Sequence, residues 1–111
     1  MGKQKPLELL PGTLDLLILK ALARGKMHGY GIAQMLKAAS EEVLDIGESS
    51  LYPALQRLLL NGWVTAEWGA SENNRRARYY TITAAGRKQL AAERADFERM
   101  TVAIQRVLQT V

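Results

Sequence analysis

The sequence has 111 residues, of which 48% are hydrophobic and 23% are charged, with a formal net charge of +4 and a pI near 9.6. This length fits one globular domain, and a pI above about 9 is typical of domains that bind nucleic acids. Because the chain contains no cysteine, disulfides, thiolate metal sites and cysteine nucleophiles are excluded.

The chain starts with a polar segment, residues 1–6, which is predicted to be loose. No apolar core of a signal peptide is present in the first ten residues. The longest apolar run, residues 14–22, is interrupted by Lys20 and is far shorter than the roughly 20 residues that span a bilayer. We therefore expect a cytoplasmic protein that makes no membrane contact.

Two helices are predicted in the first third of the chain. The first begins at Thr13, which is a suitable N-cap, and ends before Gly25. Gly29 and Gly31 mark a turn into the second helix, which carries its apolar side chains at helical spacing. The short stretch 41–46 that follows is compatible with a small strand.

The third predicted helix lies in the segment GESSLYPALQRLLLNGW, residues 47–63. Ser49 or Ser50 can cap it, Pro53 is tolerated in a first turn, and Asn61-Gly62 ends it. Its leucines share one face, so the remaining polar side chains point away from the core. These side chains are Tyr52, Gln56 and Arg57.

A β-hairpin and a long helix complete the chain. The segments WVTAEWG, residues 63–69, and ARYYTIT, residues 77–83, have the alternation and composition of strands, and the segment between them is polar and turn-prone. Thr83 is a suitable cap for a final helix that runs toward Val111.

This order of elements is typical of a winged helix-turn-helix, in which the third helix presents its free face to the major groove. We therefore predict a mainly α fold with a small β-hairpin wing. The winged helix-turn-helix is expected to comprise residues 7–83, and a C-terminal dimerisation helix is expected to comprise residues 84–111.

Four segments between residues 7 and 90 carry a family pattern: LPGTLDLLILKAL, HGYGIAQMLK, GESSLYPALQRLLLNGWVTAEW and SENNRRARYYTITAAGRKQL. Together they resemble the short, single-domain members of the PadR-like winged-helix transcriptional regulators. The resemblance implies a homodimeric DNA-binding protein, usually a repressor, whose last helix forms the dimer. Some relatives release DNA when they bind a small hydrophobic molecule.

The predicted DNA-contacting residues come from three places. Helix three offers hydroxyl groups, and its glutamine and arginine have the geometries that read adenine and guanine. The resemblance adds the HGYG turn and the start of helix three, and the wing offers arginines that can follow the phosphate backbone. The set is His28, Tyr30, Gln34, Ser49, Ser50, Tyr52, Pro53, Gln56, Arg57, Asn73, Asn74, Arg75 and Arg76.

Structural alternatives exist for each part of this set. The serines can serve only as helix caps, and the wing tip can simply be a solvated turn. Strand alternation places Arg76 and Arg78 on one face of the wing and Arg75 on the other. His28 is expected to hydrogen-bond at its turn.

The final helix carries an apolar seven-residue repeat with intermediate positions filled: Leu90, Phe97, Met100, Ile104, Val107 and Val111. We expect this stripe to form a homodimer, because reading a two-fold-symmetric site requires two heads about 34 Å apart. The alternative is that the stripe packs on its own domain.

Trp63 and Trp68 fall on opposite faces of one strand. One of them is expected in the core, and the other is a candidate lining for a small hydrophobic effector near the dimer axis. Plain packing is the alternative for both rings.

The sequence therefore predicts a sequence-specific regulator that binds double-stranded DNA at a palindromic operator, and the resemblance implies release by a small hydrophobic effector. No cofactor, metal ion or catalytic activity is expected, since His28 is the only histidine and has no suitable partners. The alternative is a small-molecule-binding or protein-interaction winged-helix module that does not bind an operator.

Overall fold

The structure, a computed structural model, describes residue 9 and residues 12–110. The loose segment predicted at residues 1–6 and the dimer residue Val111 lie outside these residues. Between residues 12 and 110 the chain forms four helices and three strands: α1 (Thr13–Leu22), β1 (Met27–His28), α2 (Gly29–Ala39), α3 (Glu48–Leu60), β2 (Val64–Ala70), β3 (Arg76–Ile82) and α4 (Ala84–Thr110). This confirms the predicted mainly α fold with a wing and a C-terminal helix.

The wing belongs to a three-stranded antiparallel sheet, not to a two-stranded hairpin as the sequence predicts. β2 and β3 pair along their full length, and β1 pairs with the other edge of β3, where His28 lies opposite Tyr79. Because β1 has only two residues, it is too short to show alternation in the sequence. This strand attaches the start of α2 to the wing.

The prediction of a small strand at residues 41–46 is wrong. Glu41 and Glu42 have φ values of 53° and 67°, which lie in the left-handed region and not in the extended one. The Ser40 hydroxyl accepts a hydrogen bond of 2.9 Å from the Leu44 amide. This stretch is therefore a turn that connects α2 to α3.

The core is centred on α1. Ile18, Leu19 and Leu22 are at most 1% exposed, and the helix contacts α2, α3, α4 and β3. Full burial of a leucine or isoleucine contributes about 1.5–3 kcal/mol to folding. The position of α1 explains why its apolar residues occur on more than one side.

α1 begins one residue earlier than its sequence suggests. Gly12, with a φ of 89°, is the N-cap, and no side chain caps the helix. Thr13 is therefore the first helical residue, and the prediction that it caps α1 is wrong.

α3 ends as the Asn61-Gly62 pair predicts. The Trp63 amide donates to the Leu58 carbonyl at 3.0 Å, and the Gly62 amide donates to the Leu59 carbonyl at 3.0 Å. With Gly62 at a φ of 73°, this is the Schellman arrangement that glycine favours after a helix. It turns the chain sharply from α3 into β2.

Thr83 caps α4, as predicted. Its hydroxyl oxygen accepts a hydrogen bond of 3.0 Å from the Gly86 amide, and the hydroxyl donates to the Gly62 carbonyl at 2.8 Å. Gly86 lies directly against the chain after α3, because a Cβ there would be only 2.1 Å from the Trp63 carbonyl oxygen. No helix in the described part of the chain is long and apolar enough to cross a membrane.

We expect Gly86→Ala to lower the free energy of unfolding by about 2 kcal/mol. Alanine favours the helix by about 1 kcal/mol, but the clash with a backbone carbonyl outweighs this gain because the backbone must move. Urea unfolding followed by circular dichroism measures the change. The exposed neighbour Arg87→Ala is the control and is expected to stay within about 0.5 kcal/mol of the parent. A Gly86→Ala protein as stable as the parent would contradict this packing.

Candidate nucleic-acid interface

α3 turns its apolar face inward and its polar face to solvent. Leu51, Leu55 and Leu58 are at most 2% exposed. The opposite face starts at the N-terminal end of the helix and carries most of the predicted contacts in exposed positions: Ser49, Ser50, Tyr52, Pro53 and Gln56. Surfaces of this kind, at the start of a third helix, are those that reach base edges in helix-turn-helix proteins.

The start of α3 differs from the prediction. Its N-cap is Gly47, and neither Ser49 nor Ser50 caps it. The interpretation of these serines as mere caps is therefore wrong. Pro53 is the sixth helical residue and lies in the second turn, so the Ser49 carbonyl has no amide partner four residues on.

Arg57, a predicted base contact, forms an ion pair with a residue of α1. Its guanidinium donates to Asp15 of α1 through Nη2–Oδ1 at 2.8 Å and Nε–Oδ2 at 3.4 Å. The Asp15 side chain is 11% exposed and that of Arg57 is 50% exposed. The hydrogen bond to Asp15 raises the pKa of Arg57, although burial opposes the shift. The pair therefore joins α3 to α1 and occupies two of the five N–H donors of the guanidinium.

His28 is the N-cap of α2. Its Nδ1 accepts a hydrogen bond of 3.0 Å from the Gly31 amide, so Nε2 carries the proton when the ring is neutral. The ring lies 5.3 Å from the ring of Tyr79, centroid to centroid. This confirms the expectation that His28 hydrogen-bonds at the turn.

Two tyrosines flank this helix start. The Tyr30 hydroxyl accepts a hydrogen bond of 2.6 Å from the Gln34 amide, and both residues are exposed. Tyr52 of α3 lies over Gly29, where a Cβ would be 3.0 Å from the tyrosine hydroxyl and 3.1 Å from its ring. Glycine at this position lets Tyr52 join α3 to the start of α2.

The tip of the wing is a tight loop over residues 71–75. The Ser71 amide donates to the Arg75 carbonyl at 2.7 Å, and the Asn74 amide donates to the Ser71 carbonyl at 2.9 Å. Asn74 has a φ of 57°, a left-handed conformation that asparagine tolerates. The turn therefore explains why asparagine is suited to position 74.

The predicted division of the wing arginines between two faces is only partly right. Arg76 and Arg78 share a face of β3, as alternation requires. Arg75 lies in the loop, where alternation does not apply, and it lines the same cleft as the other two. All three arginines therefore belong to one surface.

The arginines of β3 are backed by aromatic rings. The Arg76 guanidinium carbon lies 4.5 Å from the centroid of the Trp68 ring, and that of Arg78 lies 6.0 Å from the centroid of Tyr80. Burial raises the pKa of Tyr80, and the charge of Arg78 opposes that shift. Tyr80 forms the buried floor of this face, whereas Trp68 is 59% exposed.

A cleft of about 850 Å³ lies between the wing on one side and the start of α2 with Tyr52 of α3 on the other. It brings together predicted contacts from all three elements: His28, Tyr30, Gln34, Tyr52, Asn73, Arg75 and Arg76. Its chemistry is aromatic and cationic, which suits a nucleic-acid backbone. Glu72 is an acidic group in the same lining. Within the described part of the chain, no three acidic or histidine side chains are placed to hold a metal ion.

The model of the PadR-like family of transcriptional regulators matches residues 18–92 of this chain. The chain belongs to the PadR-like family. It is accordingly a DNA-binding transcription regulator, and its family and structural neighbours are regulators, not enzymes.

Solved structures of relatives have the same fold as this PadR-like chain. A transcriptional regulator from Clostridium thermocellum is 32% identical, with a TM-score of 0.79 over 86% of this chain and 92% of that one. A PadR family regulator from Eggerthella lenta is 27% identical, with a TM-score of 0.75 over 90% and 85% of the two chains. An uncharacterized protein of Lysinibacillus sphaericus is 29% identical over 84 residues, which are 76% of this chain and 77% of that protein.

The predicted set of contacts left out Arg78 and Tyr80, which line the cleft of this PadR-like protein. Their signal was present in the strand RARYYTI, where positions 76, 78 and 80 share one face. Trp68 was predicted as a candidate effector lining, but it lies in this cleft. Trp63 is half-buried and packs against the core, as one of the two tryptophans was expected to do.

We expect Arg57→Ala to lower the free energy of unfolding of this PadR-like protein by about 2 kcal/mol, because it leaves the buried Asp15 carboxylate without a partner. The half-exposed guanidinium is screened by solvent, so the loss stays below the 3–5 kcal/mol typical of a fully buried pair. Urea unfolding measures the change. The neighbouring Gln56→Ala is the matched control and is expected to unfold like the parent. Equal stability of the two variants would show that the pair does not hold α3.

Proposed function

We propose that this PadR-like protein is a repressor that binds a palindromic operator as a homodimer. α3 enters the major groove, and the wing follows the neighbouring phosphate backbone. Repression results from occlusion of the promoter. The observation that carries the proposal is that Tyr52 on the exposed face of α3, the start of α2 and the arginines of the wing line one aromatic, cationic cleft.

Gln56 is the residue of α3 that we propose reads a base. It is exposed on the face opposite the buried leucines, and a glutamine side chain can bind adenine through two hydrogen bonds. Ser49, Ser50 and Tyr52 offer hydroxyl groups nearer the start of the helix, where phosphates are usually bound. This division assigns sequence reading to Gln56 and orientation to the hydroxyl groups.

The homodimer is supported by the exposed apolar stripe of α4. Phe97 is 47% exposed and Ile104 is 51% exposed. Met100, which lies between them, and Val107, one turn further on, are also exposed. Leu90 packs against the core of its own chain, so the proposed dimer face begins at Phe97. A helix of 27 residues is about 40 Å long, which extends the stripe well beyond the winged domain.

The effector part of the proposal depends on this dimer. Trp63 packs against the core and Trp68 lines the cleft at the wing, so the two rings do not form one site within a single chain. We propose that a small hydrophobic effector binds beside Trp63, whose carbonyl lies against Gly86 near the start of α4. Such binding changes the spacing between the two DNA-binding heads and lowers operator affinity.

Ile104→Asp is expected to convert the protein to a monomer, because a charge on the paired stripe would be buried without a partner. Sedimentation velocity at micromolar concentration measures the mass. Gln105→Asp places the same charge at the adjacent, polar position of α4 and is expected to leave the dimer intact. A parent protein that sediments as a monomer at this concentration would contradict the proposal.

Gln56→Ala is expected to weaken binding to the DNA upstream of the protein's own gene by at least tenfold, since each of the two heads would lose one bidentate base contact of about 1–3 kcal/mol. Fluorescence anisotropy with labelled duplexes measures the affinity. Gln105→Ala removes the same side chain from α4 and is expected to bind like the parent. If the two variants bind equally well, Gln56 does not read the operator. Binding of the parent protein that does not depend on DNA sequence would favour a protein-interaction module instead.

A further inference from the structure

Trp68 is a large apolar side chain that is 59% exposed on the wing. Its indole does not contribute to the buried core, yet the Arg76 guanidinium carbon lies only 4.5 Å from its ring centroid. An exposed tryptophan in contact with a cation is a feature that core packing does not explain. The contact with Arg76 therefore indicates that Trp68 acts on the side chain of this arginine.

The strand register creates this contact. Trp68 lies opposite Arg78, and Arg76 lies opposite Ala70, so Arg76 reaches the indole on the diagonal across the two strands. A guanidinium that stacks on a ring has one face covered, while the N–H groups at its edge remain able to donate. The contact thus limits where Arg76 points without occupying its hydrogen-bond donors.

We propose that Trp68 is a positioning residue that holds Arg76 ready to bind a DNA phosphate. The inference rests on the proposed function, because it requires the wing to lie along the DNA backbone. A long arginine side chain loses rotamer freedom when it is fixed on a phosphate, and this loss weakens binding. Stacking on Trp68 restricts those rotamers before DNA arrives, so less freedom is lost on binding.

This role differs measurably from that of a charge. Removing Arg76 leaves one phosphate without its cation, so affinity falls and its dependence on salt flattens by about 0.9 in log–log slope for each phosphate that is no longer neutralised. Removing the ring leaves the charge in place. Affinity then falls by a similar factor at every salt concentration, and the slope stays that of the parent.

The test is a double-mutant cycle on the full chain, with Trp68→Leu, Arg76→Ala and the double variant titrated against the upstream duplex at several salt concentrations. A cation–π contact at an exposed site accounts for about a twofold to fivefold effect in each head, so about tenfold is expected for the two heads of a dimer. Trp68→Leu is expected to have no further effect once Arg76 is alanine. Trp68→Phe, which keeps a ring, is expected to restore most of the affinity.

Arg76→Lys provides a second test that leaves Trp68 in place. It keeps the charge but loses the planar stack, so it is expected to behave like Trp68→Leu, with lower affinity and an unchanged slope. Urea unfolding confirms that each variant is folded at the titration temperature. If Trp68→Leu weakens binding equally with and without Arg76, or not at all, the positioning role is overturned.

A duplex of unrelated sequence separates this inference from the proposed function. Backbone contacts are independent of sequence, so the coupling between Trp68 and Arg76 is expected on this duplex as well, at its lower affinity. Equal binding of the parent to both duplexes would overturn operator recognition while leaving the coupling measurable. Coupling that is absent on both duplexes would overturn the role of Trp68 alone.

Discussion

Three leucines of α3 pack into the core beneath the helix, and the Arg57 guanidinium joins the same helix to the buried Asp15 of α1. The two interactions differ in kind. The leucines occupy one face of α3, so their burial turns that face inward and leaves Gln56 on the solvent side. The hydrogen bonds of Arg57 are directional, so they add a contact that fastens α3 to α1 at one position.

The elements around the cleft are joined to one another. β1 connects the start of α2 to β3 through the pairing of His28 with Tyr79, and Tyr52 connects α3 to Gly29 of the same helix start. The wing, α2 and α3 therefore form one surface with a fixed internal arrangement. In the proposed dimer, α4 determines the distance between two such surfaces. The proposed effector then changes this distance and not the shape of either surface.

Local signals predicted much of this structure. The periodic leucines of α3, the Asn61-Gly62 ending and the Thr83 cap each depend on residues within a few positions of one another. The pairing of Arg57 was not predicted because its partner Asp15 is 42 residues away, and nothing in the segment around Arg57 indicates it. The polar face of a helix predicts exposure, but it does not distinguish a contact to DNA from a contact to another helix.

The wing shows the same limit. β1 was not predicted because two residues are too few to show an alternation of apolar and polar side chains. The strand is defined only by its pairing with β3. Alternation correctly placed Arg76 and Arg78 together but failed for Arg75, which lies beyond the end of the strand. The location of Trp68 in the cleft depended on how the sheet sits relative to α2 and α3, which no local pattern contains.

Chemical footprinting of the full chain on the DNA upstream of its own gene tests most directly whether the exposed face of α3 and the wing form a DNA-binding surface. We expect two protected half-sites related by two-fold symmetry, with centres about 34 Å apart and major-groove guanines or adenines shielded in each. We also expect protected backbone positions beside each half-site, where the wing lies. A single unsymmetrical patch, or the absence of protection at concentrations that saturate binding, would contradict the account.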